Sequence, residues 1–243
     1  GMPNRMQGWK QANKNFKIAG IRTSVSTTST NLTITYRLQE IGSKYHVSYT
    51  LYPSGMLHVA CHLEAQPNAP ELPRIGARFR IPADMNQLEY FGRGPEENYC
   101  DRKNGTLIGY YKSTAEQQYV PYVRPQENGH HTDTRWIALS PAKGNGLVLV
   151  ADSTIGFNAL RNSIEDFDSE EALPHPYQWN NFSPEEVANH DENAARNVLR
   201  RMHHVNDITP RDFVEVCVDM KQQGVGGYDS WGAHPEPFHQ IPA

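Results

Sequence analysis

Apolar and polar positions alternate over much of the chain. Leu32, Ile34, Tyr36 and Leu38 fall on one side of an extended backbone, with Thr33, Thr35 and Arg37 on the other. Tyr45, Val47, Tyr49 and Leu51 repeat the pattern, Pro53-Ser-Gly55 reverses the chain, and Leu57, Val59, Cys61 and Leu63 bring it back. A period of two predicts half-buried strands, and a proline-glycine turn between matched runs predicts a hairpin. The strand signal starts at Ile21. The prolines between Ala65 and Pro73 predict a connection, after which Ile75, Ala77, Phe79 and Ile81 form the next inward face and Arg78 and Arg80 point outward.

Farther along, Thr134 to Leu139 and Leu147 to Ala151 predict two strands joined through Gly144-Asn-Gly146. Leu147-Val-Leu-Val150 is apolar on both sides, which predicts a strand deep in a sheet. Val214, Val216, Val218 and Met220 predict a late strand facing the core, broken by Gly224-Val-Gly-Gly227. Leu57, Val59, Cys61, Ile75, Phe79, Leu149 and Val216 are the expected core. One short helix is expected to start near Pro184: Ser183 can cap it, proline suits the first helical position and Glu186 completes a capping box. The segment from Gly1 to Lys17 is polar without a clean period and is expected to fray, with Trp9 and Phe16 as its anchors. No other helix of note is expected. The pattern is therefore all-β and antiparallel, read as a single domain over residues 1–243.

Composition narrows the class of partner. The chain has 243 residues, a net charge of -4 and no basic run, so it has no nucleic-acid footprint. No apolar stretch approaches the ~18 residues of a membrane span. Aromatics make up 10% of the chain, a share that suits strands and surfaces that stack on sugars. The cysteines, Cys61, Cys100 and Cys217, are odd in number and are read as reduced packing thiols. Eleven histidines call for a metal check. The pairs His130-His131 and His203-His204 are adjacent, and strand neighbours point to opposite faces, so neither pair chelates readily. No metal or other cofactor is expected in this chain.

The stretch from Leu88 to Arg135 fits neither a helix nor an unbroken strand. Gly92, Gly94 and Pro95 punctuate it within four positions, and Pro121 and Pro125 fix φ twice more. Side chains that bond to backbone, Glu97, Asn98, Asp101, Glu127 and Asn128, must order it. A knot of bracing loops and a binding rim are both compatible with that composition.

Phe91-Gly-Arg-Gly-Pro-Glu-Glu-Asn-Tyr-Cys-Asp-Arg102 and Pro121-Tyr-Val-Arg-Pro-Gln-Glu-Asn-Gly129 resemble two signature stretches of the last domain of family 2 β-galactosidases. Gly226-Gly-Tyr-Asp-Ser-Trp231 resembles a third, so the resemblance spans the whole chain. It implies a large antiparallel β-supersandwich, similar to galactose mutarotase. It also implies that the chain begins inside the domain, since family features upstream of Gly1 are missing. The same resemblance makes Trp231 an aromatic wall beside the sugar, held on its loop by Asp229 and Ser230. Tyr228 stands where the family often has an acid.

Glycoside cleavage with retention needs two carboxylates about 5 Å apart. No spacing singles out a pair among Glu96, Glu97, Glu127, Asp166, Glu170 and Glu171. The resemblance places both catalytic glutamates in a barrel domain earlier in the parent chain, along with most ligands of the magnesium and sodium that the parent uses. Glu97, Asn98, Glu127 and Asn128 are then loop supports. The expected partners are the barrel and other domains of the parent chain and a galactoside sugar, with a homo-oligomer left open. The compartment, cytoplasm or periplasm, is not specified. Two competing functions remain at this point: an independent carbohydrate-binding module with its own aromatic platform, and an aldose epimerase, which needs an acid and a base converging on a sugar ring.

Overall fold

The structure, a computed structural model, describes residues 6–167, 204–226 and 234–242. They form two antiparallel sheets and, among the described residues, one α-helix, which is the all-β class expected from the alternation. The helix expected near Pro184 lies outside the described residues, as do Asp229, Ser230 and Trp231. The chain gathers into two compact units, one running to Gly76 and resuming at Lys221, the other covering Ala77–Met220.

The first unit holds helix α1 (Gln7–Asn15) and strands β1 (Lys17–Val25), β2 (Thr30–Leu38), β3 (Ser43–Leu51) and β4 (Leu57–Glu64), which pair in sequence order. The expected hairpin forms, with Tyr45 opposite Leu63, Val47 opposite Cys61, Tyr49 opposite Val59 and Leu51 opposite Leu57.

Burial departs from expectation. Leu57 and Val59 are 53% and 44% exposed, and Cys61 is exposed too. The alternation identified the apolar face correctly, but alternation cannot say how far any neighbour covers that face. Helix α1 is a second departure. A segment expected to fray is a nine-residue helix, fastened by Trp9, whose Nε1 donates to the Pro70 carbonyl at 2.9 Å, and by buried Met6 and Ala12. Phe16 then stands edge-on to Tyr36, with ring centroids 5.1 Å apart.

The second unit is framed by a six-stranded sheet in the order β5-β10-β9-β8-β6-β7. Its strands are β5 (Arg74–Pro82), β6 (Gln87–Gly94), β7 (Leu107–Thr114), β8 (His131–Ser140), β9 (Leu147–Leu160) and β10 (Phe213–Gln222). The core on its inner face contains Leu88, Tyr90, Ile137, Leu139, Phe157, Val214 and Val216, with Phe79, Ile81, Leu149 and Val218 packed against it. Val216 is fully buried, whereas Ile75, Phe79 and Leu149 are only partly so.

The apolar run of β9 is not deep on both sides. Leu149 faces the core, but Val148 and Val150 are 59% and 75% exposed on the outer face. Met220, at the end of β10, is also exposed. Cys217 is buried and Cys100 half-buried, and none of the three cysteines is in a disulfide.

Candidate functional site

The knot between β6 and β8 begins where β6 runs too close to β8 to carry a side chain. A Cβ on Gly92 would stand 2.9 Å from Thr134 Cα, so only glycine fits. Gly129 has a different constraint. Its φ of +66° lies in the left-handed region, and a Cβ there would meet the Gln118 carbonyl at 2.8 Å. Between these points the chain leaves β6 through a cis Gly94–Pro95 bond and returns along Pro121 to His130.

Four residues anticipated from the sequence converge here. Asn98 is fully buried and uses both ends of its amide. Its Nδ2 donates to the carbonyls of Arg93 and Glu96, both at 3.1 Å, and its Oδ1 accepts from the Thr132 amide at 2.8 Å and hydroxyl at 2.6 Å. Asn128 clips the returning loop to itself, accepting from the Val120 amide at 3.0 Å and donating to the Val120 carbonyl at 2.5 Å. Asn158, on β9, joins the set by donating to Glu127 Oε1 at 3.0 Å and to the Asn128 carbonyl at 2.6 Å.

Glu97 is the hub. Its carboxylate accepts from the Gly129 amide at 2.7 Å, the Tyr99 hydroxyl at 3.3 Å, Arg102 and the Tyr122 hydroxyl. These four donors occupy the roughly four lone-pair positions a carboxylate offers. Burial, with the carboxylates of Glu127 and Glu97 beside it, holds the Tyr99 hydroxyl well above the ordinary phenol range. Tyr99 therefore stays a neutral donor.

The sequence marks the two histidines only as candidate ligands and does not show their packing role. His130 stacks on Tyr99 with centroids 5.5 Å apart and pairs through Nδ1 with Asn158 Oδ1 at 2.9 Å. His131 packs against Tyr90 and Phe157 at 4.8 and 5.1 Å, with its Nδ1 3.0 Å from the Arg93 carbonyl and its Nε2 2.5 Å from Gln118 Oε1. Burial pushes its pKa down from 6.5 to about 4, against the opposing pull of the Arg93 carbonyl and of Glu97 and Glu96. A signal for this was present: consecutive histidines entering a strand with period-two flanks place one ring on each side.

At the surface end of the knot, Asp133 receives Arg93 at 2.6 Å and Lys103 at 3.0 Å. Partial burial opposes ionisation of its carboxyl, but these two cations hold its pKa below the usual range. Among the described residues no group of three or more His, Cys, Asp or Glu side chains is placed to hold a metal ion. No described helix is long and apolar enough to cross a membrane.

Comparison with known proteins supplies the remaining context. Residues 2–243 match the family model described as "Beta galactosidase small chain". The chain is 31% identical over 237 residues to a protein named β-galactosidase from Priestia megaterium, covering 98% of this chain and 20% of the relative. A β-galactosidase from Streptococcus thermophilus is 29% identical with the same coverages. One from Halalkalibacterium halodurans is 33% identical across 79% of this chain and 16% of its own length. The chain thus spans about a fifth of the length of these relatives or less.

Proposed function

The chain belongs to the β-galactosidase small-chain family, and we propose that it is the C-terminal domain of a larger, retaining β-galactosidase that hydrolyses terminal β-D-galactosides. It completes the sugar pocket and leaves the acid–base chemistry to glutamates elsewhere in the parent. The observation that carries this division of labour is the state of Glu97. A general base needs a free lone pair aimed at the proton it takes, and a nucleophile needs one aimed at the anomeric carbon. Glu97 has four donors on its carboxylate and so serves to tie Gly129, Tyr99, Arg102 and Tyr122 together.

Other acids in the same unit are likewise engaged. Asp166 holds Arg211, Glu116 holds Arg161, and Glu165 and Glu215 share Arg78. Glu97, Asn98, Glu127 and Asn128 act as loop supports that fix the rim between β6 and β8. Trp231 offers an aromatic face to the C–H side of the sugar, with Asp229 and Ser230 bracing its loop. Most ligands of the magnesium and sodium that the parent enzyme uses lie in its barrel domain.

Two assays test the reading. Purified alone, the chain turns over no chromogenic β-galactoside. Hydrolysis that is abolished by a substitution within the chain refutes the assignment of the catalytic acids to other domains. In the full-length enzyme, Trp231→Ala raises KM by about 5- to 30-fold, the equivalent of roughly 1 to 2 kcal/mol of lost stacking and burial. An unchanged KM removes Trp231 from the pocket.

A further inference from the structure

The outer face of the six-stranded sheet does not look like a solvated face. In an antiparallel sheet with one side in water, outward positions are normally polar. Here Tyr110 on β7 lies opposite Phe91 on β6, Phe91 opposite Trp136 on β8, and Trp136 opposite Val150 on β9. This apolar row crosses four adjacent strands. Val148 extends it in the neighbouring row, and Ile108 lies on the same face beside Arg93. Tyr110, Val148 and Val150 are half or more exposed, and Ile108 is 43% exposed. Aromatic residues and arginine on an apolar patch with a charged border make up the usual composition of an interface core and its rim.

The border is charged with an excess of one sign. Lys112 pairs with Glu89 at 3.1 Å, Arg93 and Lys103 share Asp133, and the Arg135 guanidinium lies 5.8 Å from the Phe91 ring. Four cations stand against two carboxylates in a chain whose net charge is -4. This excess argues against a second copy as the occupant, because two such rims would repel across the interface. A sugar is disfavoured by shape, since the rings of Tyr110 and Trp136 are tilted by 39° to each other and the exposed Val148 and Val150 beside them are aliphatic. The occupant that fits is the part of the enzyme outside this chain. The relatives are about five times as long as the chain, which leaves ample protein to cover the face.

We propose that the outer face built by Ile108, Tyr110, Phe91, Trp136, Val148 and Val150 is the surface on which the rest of the β-galactosidase docks, through an apolar patch bordered by carboxylates. The proposal rests on the reading of this chain as one domain of such an enzyme. The test supplies the rest of the β-galactosidase as a separate polypeptide and measures its association with this chain by sedimentation and by recovery of activity. Val150→Lys and Ile108→Lys each place in the apolar patch a charge that docking would strip of water, at positions whose side chains carry little packing. Each weakens association at least 10-fold, the two together about 100-fold, while the unfolding midpoint of the chain alone stays put. Association of the native chain with both variants binding equally well overturns the docking face and leaves the parent-enzyme reading standing. Failure of the native chain to associate at all overturns the parent-enzyme reading and the docking face with it. A concentration-dependent dimer of the chain alone that Val150→Lys abolishes also overturns the proposal, because the occupant is then a second copy.

Discussion

Replacing Asn98 with alanine is a direct test of whether the knot is held by its buried polar network. Asn98 has no exposed surface and makes four side-chain hydrogen bonds. They do not contribute equally once broken. The Arg93 carbonyl keeps a contact with His131 Nδ1 at 3.0 Å, and Glu96 lies at the surface, where water can replace the lost amide. The Thr132 amide and hydroxyl are the groups left orphaned. A buried donor without a partner costs about 1 to 3 kcal/mol, and removing the amide side chain also leaves a small cavity. The expected loss is therefore about 2 to 4 kcal/mol, or a fall of roughly 5 to 15 °C in the melting midpoint for a chain of this size. Urea unfolding followed by fluorescence measures the loss, and amide exchange at Thr132 reports whether it is local. Asn98→Asp separates the two halves of the argument. It keeps the acceptor for Thr132 but loses the donors and buries a charge, so at neutral pH it must be no more stable than the alanine variant by more than about 1 kcal/mol. A loss below about 1 kcal/mol for Asn98→Ala, with unchanged exchange at Thr132, would show that the knot is held by packing and not by this amide.

Two further outcomes follow from the same unit. Unfolding releases His131 from a site where its pKa is about 4 into water, where it is 6.5. The unfolded chain therefore binds the extra proton first, so the contribution is full above pH 6.5 and is lost as pH falls toward 4, by at most ~3 kcal/mol. Urea midpoints that stay flat between pH 7 and pH 4.5 after correction for the carboxylates would contradict this. At the other edge of the sheet, Glu215 is almost wholly buried beneath Arg78 at 2.7 Å and Arg80 at 2.9 Å and also accepts from the Ile164 amide at 2.9 Å. Glu215→Ala is expected to cost about 3 to 5 kcal/mol, because it leaves paired cations without their partner. A cost under about 1 kcal/mol in thermal unfolding would mean that Glu165 and water take over its role.

How much of this was legible in the sequence depends on the range of the interactions involved. The β3–β4 hairpin was readable, because its turn and its alternation are local. The cover over Leu57 and Val59 was not, since a strand pattern states which side is apolar and is silent on what faces it. Helix α1 escaped notice for a related reason. Its nine residues are polar apart from Gly8, Trp9 and Ala12, and its firmest tie is from Trp9 to a carbonyl 61 positions away. The knot shows the same division. Glu97, Asn98, Glu127 and Asn128 announced themselves as side chains that bond to backbone, because glycines and prolines left the segment no regular ladder. Their partners could not be named, since Asn98 reaches Thr132 and Asn158 reaches Glu127 across separations of 34 and 31 residues. The row Tyr110, Phe91, Trp136 and Val150 is the extreme case. Each strand contributes a single unremarkable residue, and only the pairing of four strands makes them one surface. A docking face of this kind therefore has no motif, and it becomes visible only when the sheet order is known.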